Sequence, residues 1–138
     1  MQRLPDVPTP LRRAVAVCCA VAILSGSLLE PGDGVPRRLL GIDVSVYFHA
    51  VAYAGLAGAI GYAALSADRR TLLAAAAIAT VYGAGIEVLQ GLVSYRTMAA
   101  TDALLNAIAA AGGTVCWWLI APRFGVDRGP RPFFRPPE

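Results

Sequence analysis

The sequence predicts an all-α integral membrane protein, four transmembrane helices in an antiparallel bundle. Three observations predict it. The 138 residues are 57% hydrophobic and only 15% charged, with mean hydropathy +0.57, which is too apolar for an ordinary soluble domain. Four apolar stretches reach or approach the roughly 20 residues that cross a bilayer. Polar breakers separate them, and short connections between helices make sequential helices antiparallel neighbours. In lipid every backbone group has to bond within its own segment, so an apolar chain of this length folds as helices.

The elements follow in order. Residues 1–10 carry three prolines and read as a disordered N-terminus. The first span runs from Leu11 to Leu29, and Glu30-Pro31-Gly32-Asp33-Gly34 ends it, with Pro36 preventing early resumption. The second runs from Val44 to Leu65 and stops at the polar turn Ser66-Ala67-Asp68-Arg69-Arg70. The third runs from Thr71 to Val93, before Ser94-Tyr95-Arg96-Thr97. The fourth runs from Ala99 to Ala121, and Pro122 ends it. The membrane domain is therefore 11–121, followed by an Arg/Pro-rich tail, 122–138, expected to be disordered from Gly125 onward. Arg12-Arg13, the apolar run and Ser25-Gly26-Ser27 also resemble a secretory signal with a small-residue cleavage site, and cleavage there would leave three spans.

Orientation follows from arginine, the only strong cation in a chain without lysine. With the N-terminus inside, Arg3, Arg12, Arg13, Arg69, Arg70, Arg123, Arg128, Arg131 and Arg135 lie on the cytoplasmic side and Arg37, Arg38 and Arg96 outside. That is a clear positive-inside bias, which predicts a multi-pass protein of the cell membrane with both termini cytoplasmic. The basic tail, with Phe133-Phe134, suits anionic lipid headgroups and is too short to argue for nucleic acid. Membrane lipids are the expected partners. Cys18, Cys19 and Cys116 have neither disulfide nor metal spacing and read as small apolar residues.

Helices in lipid gain no hydrophobic drive toward one another, so close backbone approach has to hold them. Ala54 and Gly58, on one stripe of the second span with Tyr62, Ala57 and Gly61 on a neighbouring stripe, Ala74–Ala77, Ala79, Gly83 and Gly91 on the third, and Ala109, Ala110, Gly112 and Gly113 on the fourth supply small residues for it. Gly83 lies one turn before Glu87, on the same face.

The polar residues inside these spans carry the functional signal. At 1.5 Å per residue, His49 lies about 8 Å, Glu87 about 9 Å, Asp102 about 5 Å and Asn106 about 11 Å below the outer ends of their spans. His49 and Tyr53 are four residues apart, Glu87 and Gln90 three, and Asp102 and Asn106 four, so each pair shares a helix face. Facing inward together, they make a polar pocket opening outward, with Arg96 at its mouth. Ionisable groups at one depth in hydrocarbon mark a site by default. Glu87 and His49 are the candidate catalytic acid and base. Arg96, with its planar fork, suits an anionic headgroup, and Gln90, Asp102, Asn106 and Tyr53 complete the substrate-binding set. His49, Glu87 and Asp102 could also ligate a metal, but no metalloprotease-type motif supports it, and no metal or cofactor is assigned. Bland roles compete at every position. His49 and Tyr53 can anchor a helix at the interface, Gln90 and Asn106 can bond helices together, Asp102 can be a first-turn acid on the helix dipole, and Arg96 can pair with Asp102. Glu87, mid-face on an apolar helix, is the hardest to explain that way.

The stretch Gly41 to Trp118 resembles the VanZ-like membrane proteins. Their E-x-x-Q is matched by Glu87-Val88-Leu89-Gln90, the following Arg by Arg96, the D-x-x-x-N by Asp102-Ala103-Leu104-Leu105-Asn106, and the upstream H-x-x-x-[YF] by His49-Ala50-Val51-Ala52-Tyr53, with Gly113 behind. Two departures stand out. Ser45 and Val46 replace an Asp-Lys common before the histidine, leaving Asp43 as the nearest acid, and Ala109 replaces a glycine after the asparagine. The family is named for a protein linked to low-level resistance to the glycopeptide teicoplanin. The resemblance implies a tie to cell-envelope lipids or precursors, and no particular reaction.

Three functions compete. One is a site that binds or modifies an envelope amphiphile. Another is a non-enzymatic membrane module whose polar cluster sets helix register while its surface binds a partner protein. A transporter is the third, and it is poorly served, since only Thr80 and Tyr82 continue the polar residues deeper.

Overall fold

In the computed structural model, which describes residues 7–30, 38–96, 98–126 and 128–129, the chain is four helices with one two-residue-stranded hairpin. Each helix is long and apolar enough to cross a membrane. Helix α1 spans Thr9–Leu28, α2 Val44–Ala64, α3 Arg69–Gln90 and α4 Ala100–Ile120. The strands β1, Arg38–Leu39, and β2, Ile42–Asp43, pair antiparallel just before α2. The expected disorder of residues 1–10 falls largely outside the described residues, but Thr9 and Pro10 already belong to α1. The glycine-rich breaker after Glu30 and most of the basic tail also fall outside them.

Local chemistry sets the ends. Pro10 sits in the first turn of α1, where no N–H is missed. The Asp43 carboxylate caps α2 by accepting from the Ser45 N–H at 2.9 Å. Asp68 caps α3 more fully. It accepts from the Arg70 and Thr71 N–H groups at 2.9 and 3.1 Å, from the Thr71 hydroxyl at 2.7 Å, and from the Ser66 hydroxyl. That cap brings Arg69 and Arg70 into the helix rather than leaving them in the turn, and it allows a connection of only four residues from α2. The third helix ends at Gln90, three residues before the expected boundary, and continues as loose turns to Arg96. Pro122 does not end the fourth span abruptly. It opens a 3-10 turn, Ala121–Phe124, closed by Gly125 at φ +77°.

The helices alternate in direction. His49 meets Asn106 at one end of α2 and α4, and Gly61 meets Trp117 at the other, so these two run parallel. The Tyr82 hydroxyl donates to Ala20 O at 2.6 Å and the Gln90 amide to Ser27 O at 2.9 Å, so α1 and α3 run parallel. The Glu87 carboxylate near the end of α3 reaches Ala99 at the start of α4, which makes the two pairs antiparallel to each other. The closest approach is between α2 and α4. A Cβ on Gly113 would collide with the Ala54 backbone, so only glycine serves there. At the far end from His49, the Trp117 indole donates to Ser66 O at 2.8 Å and packs edge-on to Tyr62 with centroids 6.0 Å apart. The interior is built of small residues: Ala57, Ala75, Ala79 and Ala110 are fully enclosed. Large apolar side chains such as Val51, Val81, Leu92 and Ile108 point outward, a surface suited to lipid.

Candidate functional site

At the end of the bundle where α2 and α4 begin and α3 finishes, five of the seven sequence-predicted site residues converge. Tyr53, Glu87 and Asn106 form the enclosed half, at 1%, 2% and 0% exposure. His49 and Asp102 form the open half, their side chains 15% and 34% exposed.

Helix geometry places each of them. His49 and Tyr53, one turn apart on α2, stack with ring centroids 5.9 Å apart and planes 24° from parallel. Asp102 occupies the first turn of α4, and Asn106 lies one turn further in. Glu87 projects from α3 opposite both. Gly83, one turn before it, makes the fit possible, because a Cβ there would come within 2.8 Å of the Tyr53 ring and 2.9 Å of the Asn106 amide nitrogen. Sequence reading marked Gly83 as a packing residue; its place beneath the two polar side chains had no sequence signal beyond its spacing from Glu87.

The hydrogen bonds assign roles. His49 Nδ1–H donates to Asn106 Oδ1 at 2.6 Å, which in the neutral ring leaves the lone pair on Nε2. That Nε2 faces Asp102 Oδ2 at 4.0 Å, too long for a direct hydrogen bond. Glu87 Oε2 accepts from the Ala99 N–H at 3.3 Å and so caps α4, which has no side-chain cap from its own N-cap residue. No sequence motif announces that contact, since its donor is a backbone group. Glu87 Oε1, the Tyr53 hydroxyl and Asn106 Nδ2 are buried without a hydrogen-bond partner. One ligand atom from each of His49, Glu87 and Asp102 lies within 4.8 Å of the others. Were both carboxylates ionised, they would repel one another at so short a separation.

Gln90 and Arg96 go elsewhere. Gln90 donates to Ser27 O, and Arg96 donates to Leu29 O at 2.6 Å, joined by the Tyr95 hydroxyl on Leu28 O, also at 2.6 Å. All three hold the end of α1, where the last carbonyls lack helical partners. Arg96 therefore does not pair with Asp102. Two shallow apolar grooves, one along Ala77–Tyr82 and one between Gly58 and Cys116, share no lining residue with the cluster.

Comparison with protein-family models, curated proteins and solved structures finds no match to this chain.

Proposed function

We propose that this chain is a VanZ-like multi-pass protein of the cell membrane, with both termini cytoplasmic, whose cluster forms an outward-facing site that binds or modifies the polar head of an envelope lipid or amphiphile. The observation that carries this reading is the set of three enclosed, unpartnered polar atoms: Glu87 Oε1, Tyr53 OH and Asn106 Nδ2. Helix-bonding glue is expected to satisfy itself, because an unpaired polar group in a low-dielectric interior is costly. Groups held ready for a ligand are not satisfied in its absence.

His49 Nε2 and the free Glu87 oxygen offer acceptors to hydroxyl or ammonium protons of a headgroup, and a proton taken up by one of them can be returned, so the pair can serve as base and then as acid. Asn106 fixes the His49 ring, Tyr53 stacks beneath it, and Asp102 stands at the more open side. Arg96 and Gln90 serve this site by seating α1 rather than by touching the ligand, a smaller part than direct headgroup binding. The alternative, a membrane module with a structural cluster that docks a partner protein, draws on the interhelical bonds His49–Asn106 and Gln90–Ser27.

Native mass spectrometry of the nanodisc-embedded protein separates the two. The site reading expects the wild type to retain an envelope lipid that Glu87→Gln releases, with melting temperature changed by no more than a few degrees. Equal lipid retention in both proteins, or loss of stability in step with loss of lipid, supports the structural module instead.

A further inference from the structure

We propose that His49, Glu87 and Asp102 bind one divalent transition-metal ion, of the zinc or manganese class. The three donors already converge, with one ligand atom from each within 4.8 Å of the others. Ligands of one such ion, at bonds of about 2.0–2.2 Å, lie about 3–4 Å apart. From that spacing the set has to close by roughly 1 Å at its widest, and the His49 and Asp102 side chains are both part-exposed.

Two features prepare these donors for a cation. His49 spends Nδ1–H on the Asn106 amide oxygen, so that in the neutral ring the Nε2 lone pair is free on the side of Asp102. A ring whose second nitrogen is tied to an oxygen in this way is the usual outer support of a metal-bound histidine. Asn106 is itself fixed, being fully enclosed and packed against Gly83. Glu87, 2% exposed, uses Oε2 on the Ala99 N–H and keeps Oε1 buried without a partner. Its carboxylate is thus oriented and retains an oxygen to give.

Charge argues the same way. Two carboxylates and a neutral imidazole balance a dication, and no arginine among the described residues pairs with Glu87, since Arg96 donates to Leu29 O. One imidazole with two carboxylates suits zinc, manganese or ferrous iron better than a soft monovalent ion. Three protein ligands leave positions open, where water or a headgroup oxygen would complete the shell. The proposal goes beyond the lipid reading and does not rest on it, because metal content is read without any lipid; with an ion bound, His49 Nε2 and Glu87 Oε1 are ligands in place of the base and acid of that reading.

The test uses the full-length protein in nanodiscs, stripped with a chelator and reloaded with Zn²⁺ or Mn²⁺. Metal per chain is counted by elemental analysis, and Mn²⁺ is followed by electron paramagnetic resonance. Manganese, which thiolates bind poorly, keeps Cys18, Cys19 and Cys116 out of the count. One ion per chain is expected, with affinity weakened at least about tenfold in Glu87→Gln and in Asp102→Asn. Circular dichroism of the metal-free variants establishes folding, and Asp102→Asn, at a part-exposed position, carries the test should Glu87→Gln fail to fold. Failure of the stripped wild type to bind either ion, or equal affinity in a folded variant, overturns the proposal.

Discussion

At the scale of single residues, the site depends on a missing side chain as much as on those present. Gly83 leaves room for the Tyr53 ring and the Asn106 amide, and a Cβ would sit inside contact distance of both. Gly83→Ala is expected to destabilise the protein by about 1–3 kcal/mol, as overpacked interiors do, read as a lower melting temperature in detergent. A smaller residue at Tyr53 should recover part of that loss, a coupling that double-mutant analysis measures. Sequence spacing alone grouped His49 with Tyr53 and Asp102 with Asn106, because residues four apart share a helix face whatever the fold. It did not reveal that Gln90 and Arg96 turn to the last carbonyls of α1, since those acceptors belong to the backbone of a distant segment. The charge and length of Arg96 suggested an anion or Asp102 as partner; the unsatisfied end of a helix supplied a nearer one.

At the scale of elements, the α2–α3 corner rests on Asp68. Its carboxylate takes backbone and hydroxyl hydrogen bonds from Ser66, Arg70 and Thr71, which hold it well below the usual carboxylate range. A lowered folded-state value means that the cap stabilises the fold above the ordinary carboxylate pKa, near 3.9, and that this stability is lost as pH falls through the depressed value. Asp68→Ala is expected to cost about 1 kcal/mol near neutral pH, less solvent screening at this part-exposed corner. Asp68→Asn keeps the cap and should show a flatter acid limb in melting temperature against pH. The sequence located all four helices because hydropathy is a property of long windows. Their ends were set by local contacts it registers weakly. Asp68 drew Arg69 and Arg70 into α3, and α4 begins under the Glu87 carboxylate rather than under a side chain of its own N-terminus. The β1–β2 hairpin, two residues a strand, is too short to give any alternation.

At the scale of the whole molecule, α1 is the outlying helix. Only 6% of its most apolar window is buried, against 33% for α4, and the side chains of Tyr82, Gln90, Tyr95 and Arg96 hold it through its carbonyls. Removing residues 1–29 would strip those four donors of their partners, so the truncated chain should melt lower while α2, α3 and α4 remain helical by circular dichroism. The proposed orientation makes its own prediction. Cysteines placed singly at Asp33 and at Arg128, in a chain cleared of its native three, should react with a membrane-impermeant maleimide only from outside and only from inside, respectively. The opposite pattern would turn the cluster toward the cytoplasm and remove its tie to the outer envelope.

All of this turns on whether the enclosed polar atoms await a ligand, and a map of the nanodisc-embedded protein that resolves ordered water decides it. The site reading predicts density for an ion, a water or a headgroup within bonding reach of Glu87 Oε1 and His49 Nε2. A closed cluster, with Glu87 Oε1, Tyr53 OH and Asn106 Nδ2 each bonded to another protein atom, would contradict it and leave the cluster as a structural lock between three helices.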